Sequence, residues 1–543
     1  MARAFDRLAL ALLLLAVTAV LRAPLRIHHD AAVLLTTVLR WFEGRAHFED
    51  ISGMTLPLVL YFYGLPASIS HALDTHPVPV FSAFTLLLLL LSAVACRRLL
   101  GRGAPGAASA RSFVWLAVAA LVLATLEGAE LTFGQREVFY VALVLPFLFV
   151  RWRRAEGLPP GATAAVFSGA AAAVGALLKP QLLLPVAAAE LALRFCAGRP
   201  RLVKAPESLA FGAAGLAYAA HFFLLPGNVL GAFGSAVAGA ATGYRAYDAS
   251  VHDLLLRFAV LPAVLVSIAA LAAGRSKGTD AVSRLSASLA GLTLGGLTVY
   301  LIQHKGFPYH LVPAVAGTVL SGAALVSGHA ATRLHEAWGR VSPRLAWPLE
   351  AVAGAAVLLG LVAAAFAAVR LPEHLALVPR TKLEELLVES TSPREEVLAI
   401  STSVAPLYPA LLCMDRRPFG RWTGPFMGIA FARAGDPRLG PPRYPTRAQM
   451  DAGERDVLDA LTRDLLSAPP RLVLVAANPP HQGLPRRFDL VEYLRVAGFL
   501  DEALAGFERA PDRAGFAVYR LRTPRVSPID PATHSSIGGV RPG

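Results

Sequence analysis

The stretch MTLPLVLYFYGLPASISHA, residues 54–72, is apolar enough to be taken for a membrane span, yet Pro57, Gly64 and Pro66 interrupt it. Whether it crosses the bilayer or lies along its surface decides the threading of everything after it. If it lies along the surface, every basic cluster falls in an alternate loop: Arg97, Arg98, Arg102 and Arg111; Arg151, Arg153 and Arg154; Arg194, Arg199, Arg201 and Lys204; Arg275, Lys277 and Arg284; and Arg333, Arg340 and Arg344. The opposite loops then hold only scattered cations such as Arg136, Lys179 and Lys305. Cytoplasmic loops carry the excess of Lys and Arg in membrane proteins, so this threading puts the N-terminus in the cytoplasm and the C-terminal tail outside. Counting 54–72 as a span scrambles the alternation after the first loop.

The composition of the whole chain agrees with a membrane protein. Of 543 residues, 55% are hydrophobic and 16% charged, and the mean hydropathy is +0.53, whereas soluble domains average about 25% charged residues. A span needs roughly 20 mostly apolar residues. The candidates are 8–25, 78–96, 112–130, 137–150, 161–178, 181–196, 207–226, 252–272, 284–302, 309–328 and 347–370. That makes about eleven spans, some short enough to need burial among neighbours. The first follows the basic start Arg3 to Arg7, and Leu21-Arg22-Ala23-Pro24-Leu25 stands where a signal peptide would show a small-x-small cleavage site, so an uncleaved anchor is expected. The net charge of +14 is read as a topology signal, and no nucleic-acid partner is expected. Cys96, Cys196 and Cys413 are far apart and lack CxxC spacing, which excludes a disulfide framework, a thiolate zinc site and an iron–sulfur cluster.

After about Pro372 charged residues return. Val397 to Ser401, Arg471 to Ala477 and Phe516 to Leu521 read as strands, and Arg447 to Leu466 and Leu490 to Phe507 as helices. The expected fold is therefore an α-helical polytopic membrane domain over 1–371, with a first outer loop at 26–77, then a periplasmic α/β domain over 372–523. The Pro-, Gly- and Ser-rich tail 524–543 is expected to be disordered.

Ionisable groups at the membrane edge are costly, so where they gather is informative. They gather at the outer turns. His28-His29-Asp30 follows the first span and precedes a helical stretch, Ala31 to Phe42, where Asp30 would serve as an N-cap if it had no other role. Glu127 and Glu130 share a helix face at the next outer turn, followed by Phe133-Gly134-Gln135-Arg136-Glu137. Lys179-Pro180-Gln181 and Gln303-His304-Lys305-Gly306-Phe307-Pro308-Tyr309-His310 occupy later outer hairpins. A carboxylate there can deprotonate an acceptor hydroxyl while Lys, Arg and His meet the charge growing on a phosphate leaving group. That is the chemistry of glycosyl transfer from a lipid-phosphate sugar. The rival reading is a transporter or flippase of an anionic or lipid-linked precursor, which should place ionisable groups near the bilayer midplane.

This order of features resembles the multi-spanning glycosyltransferases of the GT-C type, particularly the lipid-A aminoarabinose transferase and protein O-mannosyltransferase group. The resemblance covers roughly 1–370. It rests on an acidic residue after the first span (Asp30), a membrane-resting Pro-Leu segment (Leu56-Pro57-Leu58), an acidic residue at the outer start of the fourth span (Glu137) and a Lys-Pro turn after the fifth (Lys179-Pro180). The family often shows Asp-Glu in the first loop where this chain has His28-His29-Asp30-Ala31, and Asp is commoner where Glu137 stands. The resemblance implies an inverting glycosyltransferase of the bacterial inner membrane, with a polyprenyl-phosphate-linked sugar as donor and an envelope glycan, lipid or protein as acceptor. It casts Asp30 as general base and Glu137 as its assistant, the two also being the candidate ligands of a divalent cation. His29, Glu130, Arg136, Lys179, Lys305, Tyr309 and His310 are the expected substrate contacts. Arg421-Trp422 and Tyr408-Pro409 of the outer domain are placed near the cleft or within the domain's own structure.

Overall fold

The computed structural model describes residues 2–22, 27–44, 55–101, 108–127, 132–197, 204–257, 259–275, 280–327, 380–422, 430–477 and 488–522. Glu130, the basic-cluster residues Arg102, Arg199, Arg201, Lys277, Arg333, Arg340 and Arg344, the expected span 347–370 and the tail 524–543 lie outside the described residues. The first part is helical throughout: α1 (Ala2–Arg22), α2 (His29–Phe42), α3 (Pro57–Ala72), α4 (Pro77–Gly101), α5 (Ala108–Glu127), α6 (Arg136–Ala155), α7 (Ala162–Leu177), α8 (Leu183–Ala197), α9 (Pro206–His221), α10 (Gly227–Tyr244), α11 (Val251–Leu255), α12 (Val260–Arg275), α13 (Ala281–Gln303) and α14 (Val312–Val326). Among the described residues, three helical stretches are long and apolar enough to cross a membrane: Pro77–Gly101, Ala281–Gln303 and Pro308–Val326. Ser112–Thr125, Ala162–Leu177 and Val260–Arg275 are apolar but shorter. The expected span 252–272 is divided, because α11 ends at Leu255 and α12 begins at Val260; Pro262 fits the first turn of a new helix, where its missing N–H costs nothing. α10 was not foreseen as an element.

α6 orders the bundle. Its 20 residues span about 30 Å at 1.5 Å per residue, the thickness of a bilayer core. Arg136 and Glu137 stand at one end, Arg151, Arg153 and Arg154 at the other, and residues 138–150 carry no charge. At the basic end Arg151 is fully buried and bonds Glu190 (2.6 Å) and Glu207 (3.0 Å), Arg154 also holds Glu207 (2.6 Å), and Arg284 holds Glu156 (2.5 Å). Arg153 donates to the Leu99 carbonyl there as well. Arg151, Arg153, Arg154, Arg194 and Arg284, from three of the basic clusters, thus meet at the end of α6 remote from Glu137. α8 and α13 pack through Gly291 and Gly295, where an added Cβ would lie 2.4 Å from the Ala188 carbonyl oxygen and 2.4 Å from Pro185 Cα respectively. This GxxxG seam lets two backbones touch without a side chain between them.

The second part is a five-stranded sheet with helices. Its strands are β1 (Glu396–Ile400), β2 (Arg417–Pro418), β3 (Leu472–Ala476), β4 (Phe507–Arg513) and β5 (Phe516–Leu521), in the order β2-β1-β3-β5-β4. β1 runs parallel to β2 and β3, with Val397 opposite Leu472, while β5 runs antiparallel to β3 and β4, with Leu474 opposite Val518. β3 is buried at all five positions, as its uninterrupted apolar run requires of a central strand. The three expected strands are present, whereas β2 and β4 were missed. β4 reads Phe-Glu-Arg-Ala-Pro-Asp-Arg, a charged edge strand that looks like a loop because charge is what keeps an edge from pairing with another chain. The helix expected over 490–507 is cut at Gly498, which adopts φ +75, into α18 (Leu490–Val496) and α19 (Phe499–Ala503), after α15 (Lys382–Ser390), α16 (Leu407–Cys413) and α17 (Ala452–Ser467). α17 starts five residues later than expected because Asp451 and Glu454 form a reciprocal capping box.

The two parts share one apolar core, in which Leu35, Val38, Leu60 and Tyr63 of α2 and α3 join Leu398, Leu411 and Leu474. Arg40, buried in α2, reaches Glu396 (3.1 Å) and the Gly420 carbonyl (2.9 Å), and Arg417 reaches Glu43 (2.7 Å). α3 therefore belongs to the layer between bundle and sheet. Its opposite side presents Tyr61, Leu65, Ile69 and Leu73 outward, an apolar stripe at four-residue spacing that suits a lipid surface.

Glu454 gives the C-terminal domain a pH response. It is buried, and burial together with the Asp451 carboxylate pushes its pKa up to about 6. A raised folded pKa means the folded state binds the proton more tightly. The stabilisation is therefore complete below the unfolded value of about 4.5 and lost as pH rises through about 6. Unfolding of the full chain should be more favourable to the fold at pH 4.5 than at pH 7.5 by about 2 kcal/mol from this group, as read by a denaturant titration at the two pH values. Glu454→Gln should remove that increment; an unchanged pH dependence in the variant rejects the assignment.

Candidate functional site

The site is built where the start of α2 meets the start of α6. The N-cap of α2 is His28, whose Nδ1 accepts the backbone N–H of Asp30 at 3.0 Å. Asp30 is thus not the cap, as the sequence alone implied: the imidazole supplies the acceptor, and the carboxylate in the first turn is left to face the site. Gln135, fully buried just before α6, donates from its side-chain amide to Asp30 Oδ2 at 3.1 Å and sits 3.0 Å from His28 Nε2. His29 Nε2 lies 3.6 Å from Asp30 Oδ1, and the Arg136 guanidinium lies 3.9 Å from Oδ2.

The turn carrying Gln135 is itself fixed from α3 and α4. Gly134 adopts φ +76, and an added Cβ would lie 2.4 Å from the Phe81 ring. Tyr63, stacked on Phe81, donates its hydroxyl to the Gly134 carbonyl at 2.5 Å. Gly134→Ala combines overpacking with a left-handed non-glycine residue, and should cost about 2–4 kcal/mol of stability in a denaturant titration. A loss below about 0.5 kcal/mol, the ordinary surface value, contradicts this packing.

Glu137, one residue further on, is 1% exposed and accepts from Lys179 Nζ at 2.5 Å. His310 Nε2 stands 3.9 Å from the same carboxylate oxygen. The Lys179 ammonium is 5.2 Å from the Tyr309 ring centroid, and Tyr309 meets the His28 ring edge-on at 5.5 Å. The structure thus brings Asp30, His29, Arg136, Glu137, Lys179, Tyr309 and His310 into one cluster. Within it Gln135 Oε1, Arg136 Nε, Glu137 Oε2 and His310 Nδ1 are buried without a hydrogen-bond partner among the described residues. Such groups cost about 1–3 kcal/mol each when unsatisfied, and four of both polarities at one place mark a site for a polar ligand.

Burial raises the Asp30 pKa, but His29, His28, Arg136 and the Gln135 hydrogen bond together outweigh it and hold the carboxyl well below the usual carboxylate range. Its side chain is still 19% exposed, so the cluster has a base that is ionised and reachable. Burial lowers the His28 pKa to about 3 against the pull of Asp30, with His29, Arg136 and Lys179 adding to the lowering. A neutral His28 ring is what capping requires. For Lys179, burial and Arg136 lower the ammonium pKa against the opposing carboxylates Glu137 and Asp30.

The ligand atoms of His28, His29 and Asp30 all lie within 4.8 Å of one another, a spacing that could hold a divalent cation, while Glu137 has Oε1 on Lys179 and leaves Oε2 unpartnered among the described residues. With Oδ2 of Asp30 facing Gln135 and Arg136, this corner fits a base and its orienting groups better than a cation.

Lys305 stands in a neighbouring cluster. Its ammonium pairs with Asp248, donates to the Tyr244 carbonyl at 2.8 Å and lies 4.2 Å over the Tyr244 ring. Asp248 is also held by Arg438 at 2.7 Å. Tyr244 links the clusters, being close enough to feel the charges of Asp30, Arg136, Glu137 and Asp248. Arg421 and Trp422 both bond Asp464 (3.0 and 2.9 Å), and Tyr408 packs in the same core; these residues build the C-terminal domain and do not reach the cluster.

Beside the site, an apolar cavity of about 220 Å³ opens among α4, α5, α6 and α14. Leu89, Val118, Leu121, Leu145 and Val315 line it, and Thr132, Val138 and Pro308 place its edge next to Glu137 and His310. Gln135, His28, Tyr244, Asp248 and Arg438 were not assigned from the sequence. The Gln135 signal was present in Gly134-Gln135-Arg136-Glu137, where a polar residue precedes two charged ones at a helix start; Asp248 and Arg438 gave none.

The fold and this site define a helical membrane protein with a charged cluster at one end of its bundle, bordered by an apolar cavity, and an α/β domain docked on α2 and α3. No family model matches the chain, and no curated protein matches it. Among solved structures it is similar to the arabinofuranosyltransferase AftD from Mycobacteria, with 16% identity and a TM-score of 0.42 over 96% of this chain and 41% of that one. The chain spans less than half the length of that protein.

Proposed function

We propose that this protein is an inverting glycosyltransferase that moves a sugar from a polyprenyl-phosphate carrier to an envelope glycan, lipid or protein. The observation that carries the reading is an ionised, reachable carboxylate, Asp30, with the partly exposed Arg136 guanidinium 3.9 Å away, in one cluster with the buried Lys179 that Glu137 holds and beside an apolar cavity. Asp30 accepts the proton of an acceptor hydroxyl as its oxygen bonds to the anomeric carbon, and the bond from that carbon to the phosphate oxygen breaks on the opposite face. Arg136, Lys179, Lys305 and His310 meet the charge on the departing phosphate. A single displacement inverts the anomeric carbon and needs no covalent sugar–enzyme step. Glu137 keeps Lys179 aligned, and the apolar cavity offers the carrier chain a dry path to the site. In this reading the chain crosses the bacterial inner membrane about eleven times, with its N-terminus in the cytoplasm, the site at the outer leaflet and the C-terminal domain in the periplasm.

The transporter reading is less well supported. In α4, α6 and α13 the Asp, Glu, Lys and Arg residues stand only near helix ends and α14 has none, and Glu190 in the middle of α8 is paired with Arg151 at the basic end of α6, whereas a translocation path needs ionisable groups near the midplane. A membrane assay with a panel of radiolabelled polyprenyl-phosphate sugars tests the proposal: label should pass to an acceptor and lipid phosphate should accumulate in equal amount. Uptake of label without glycosidic bond formation across the panel would replace the enzyme by a transporter.

A further inference from the structure

The segment 244–249 is tied on three sides. The Tyr247 hydroxyl donates to the Thr402 carbonyl of the C-terminal domain. The Ala249 N–H donates to the His304 carbonyl at 2.7 Å. Asp248 divides its carboxylate, with Oδ1 on the Lys305 ammonium and Oδ2 on Arg438. Arg438 is itself anchored, since its Nε and second amino group bond Asp436 at 3.1 and 2.8 Å, and Asp436 is buried. Lys305 is close enough to the site to act electrostatically on His310.

A carboxylate shared by two cations holds each of them less firmly than it would hold one. Lys305 can therefore leave Asp248 for an arriving anion without stranding that carboxylate, because Arg438 remains. We propose that Lys305 is a phosphate contact held in reserve, and that Arg438 of the C-terminal domain is a positioning residue that sets how readily Asp248 releases it. The ligand class, a polyprenyl monophosphate, is taken from the proposed function.

The arrangement makes Asp248 and Arg438 act on Lys305 with opposite sign. Asp248→Asn frees the ammonium and should tighten binding of a polyprenyl monophosphate, whereas Arg438→Gln leaves Asp248 to Lys305 alone and should weaken it, each by about three- to tenfold. The double variant should behave like Asp248→Asn, Arg438→Lys should recover most of the wild-type affinity, and Lys305→Gln should abolish the response to Asp248→Asn. The measurement is calorimetric binding of decaprenyl phosphate, and in parallel of inorganic phosphate, to the full chain in lipid nanodiscs. Equal shifts with both probes place the effect on the headgroup. A merely structural role would weaken binding in both single variants, and that result, or no change in either, overturns the inference while leaving sugar transfer to be judged separately. Absence of decaprenyl phosphate binding by the wild type would overturn both this inference and the proposed function.

Discussion

Asp30→Asn should retain donor binding and lose turnover by about 10²–10⁴-fold, the usual contribution of a positioned general base. Asparagine keeps an oxygen for the Gln135 amide and roughly the volume of the carboxylate, so the surroundings of the site change little. The phosphate contacts sit on other residues, so the loss should fall on kcat and leave KM within about threefold, the pattern of an interaction made only in the transition state. The pH profile carries the same signature. Because His29, His28 and Arg136 hold Asp30 below the ordinary carboxylate range, the wild-type rate should not fall through protonation of this base until below about pH 4. Turnover by the variant equal to that of the wild type would remove Asp30 from the mechanism.

The second large effect is on the fold. Lys179→Met leaves the buried Glu137 carboxylate without its cation, and Glu137→Gln leaves the buried ammonium without its anion. Removing one partner of a buried pair costs about 3–5 kcal/mol, because the remaining charge is stranded in a medium that solvates it poorly. The double variant Glu137→Gln/Lys179→Met removes both charges, so its loss should be smaller than the sum of the singles by about 1–3 kcal/mol. Unfolding of the detergent-solubilised chain, followed by helicity against denaturant, gives the cycle. Additivity within about 0.5 kcal/mol would show that the two residues do not interact in solution. Neither Lys179→Met nor the double variant should transfer sugar at the wild-type rate, since restored stability does not restore the cation.

Much of the architecture was legible before folding was considered. Apolar runs near 20 residues mark helices by length and composition, and the strands at 397–400, 472–476 and 516–521 declare themselves by apolar, β-branched content between turns. The misses have local causes. β4 was hidden by the charges that protect a sheet edge, and the helix over 490–507 was overextended because one glycine with positive φ is enough to end it. The alternative role of Asp30 as a helix cap falls away because His28 takes that position, and a histidine cap is not among the common signals.

What the sequence determined by itself is which residues are costly to place: the charged groups that gather at the ends of apolar runs. Those are properties of composition and period, and they survive any rearrangement of the loops. Tertiary structure alone decided who meets whom. Gln135 reaches Asp30 across 105 positions, Lys179 reaches Glu137 across 42, and Arg438 reaches Asp248 across 190. No local pattern encodes such partners, because the choice follows from helix packing: the Gly291–Gly295 seam, the Gly134 turn against Phe81, and the shared core beneath the sheet bring distant charges within a few ångströms, where burial makes each depend on the other.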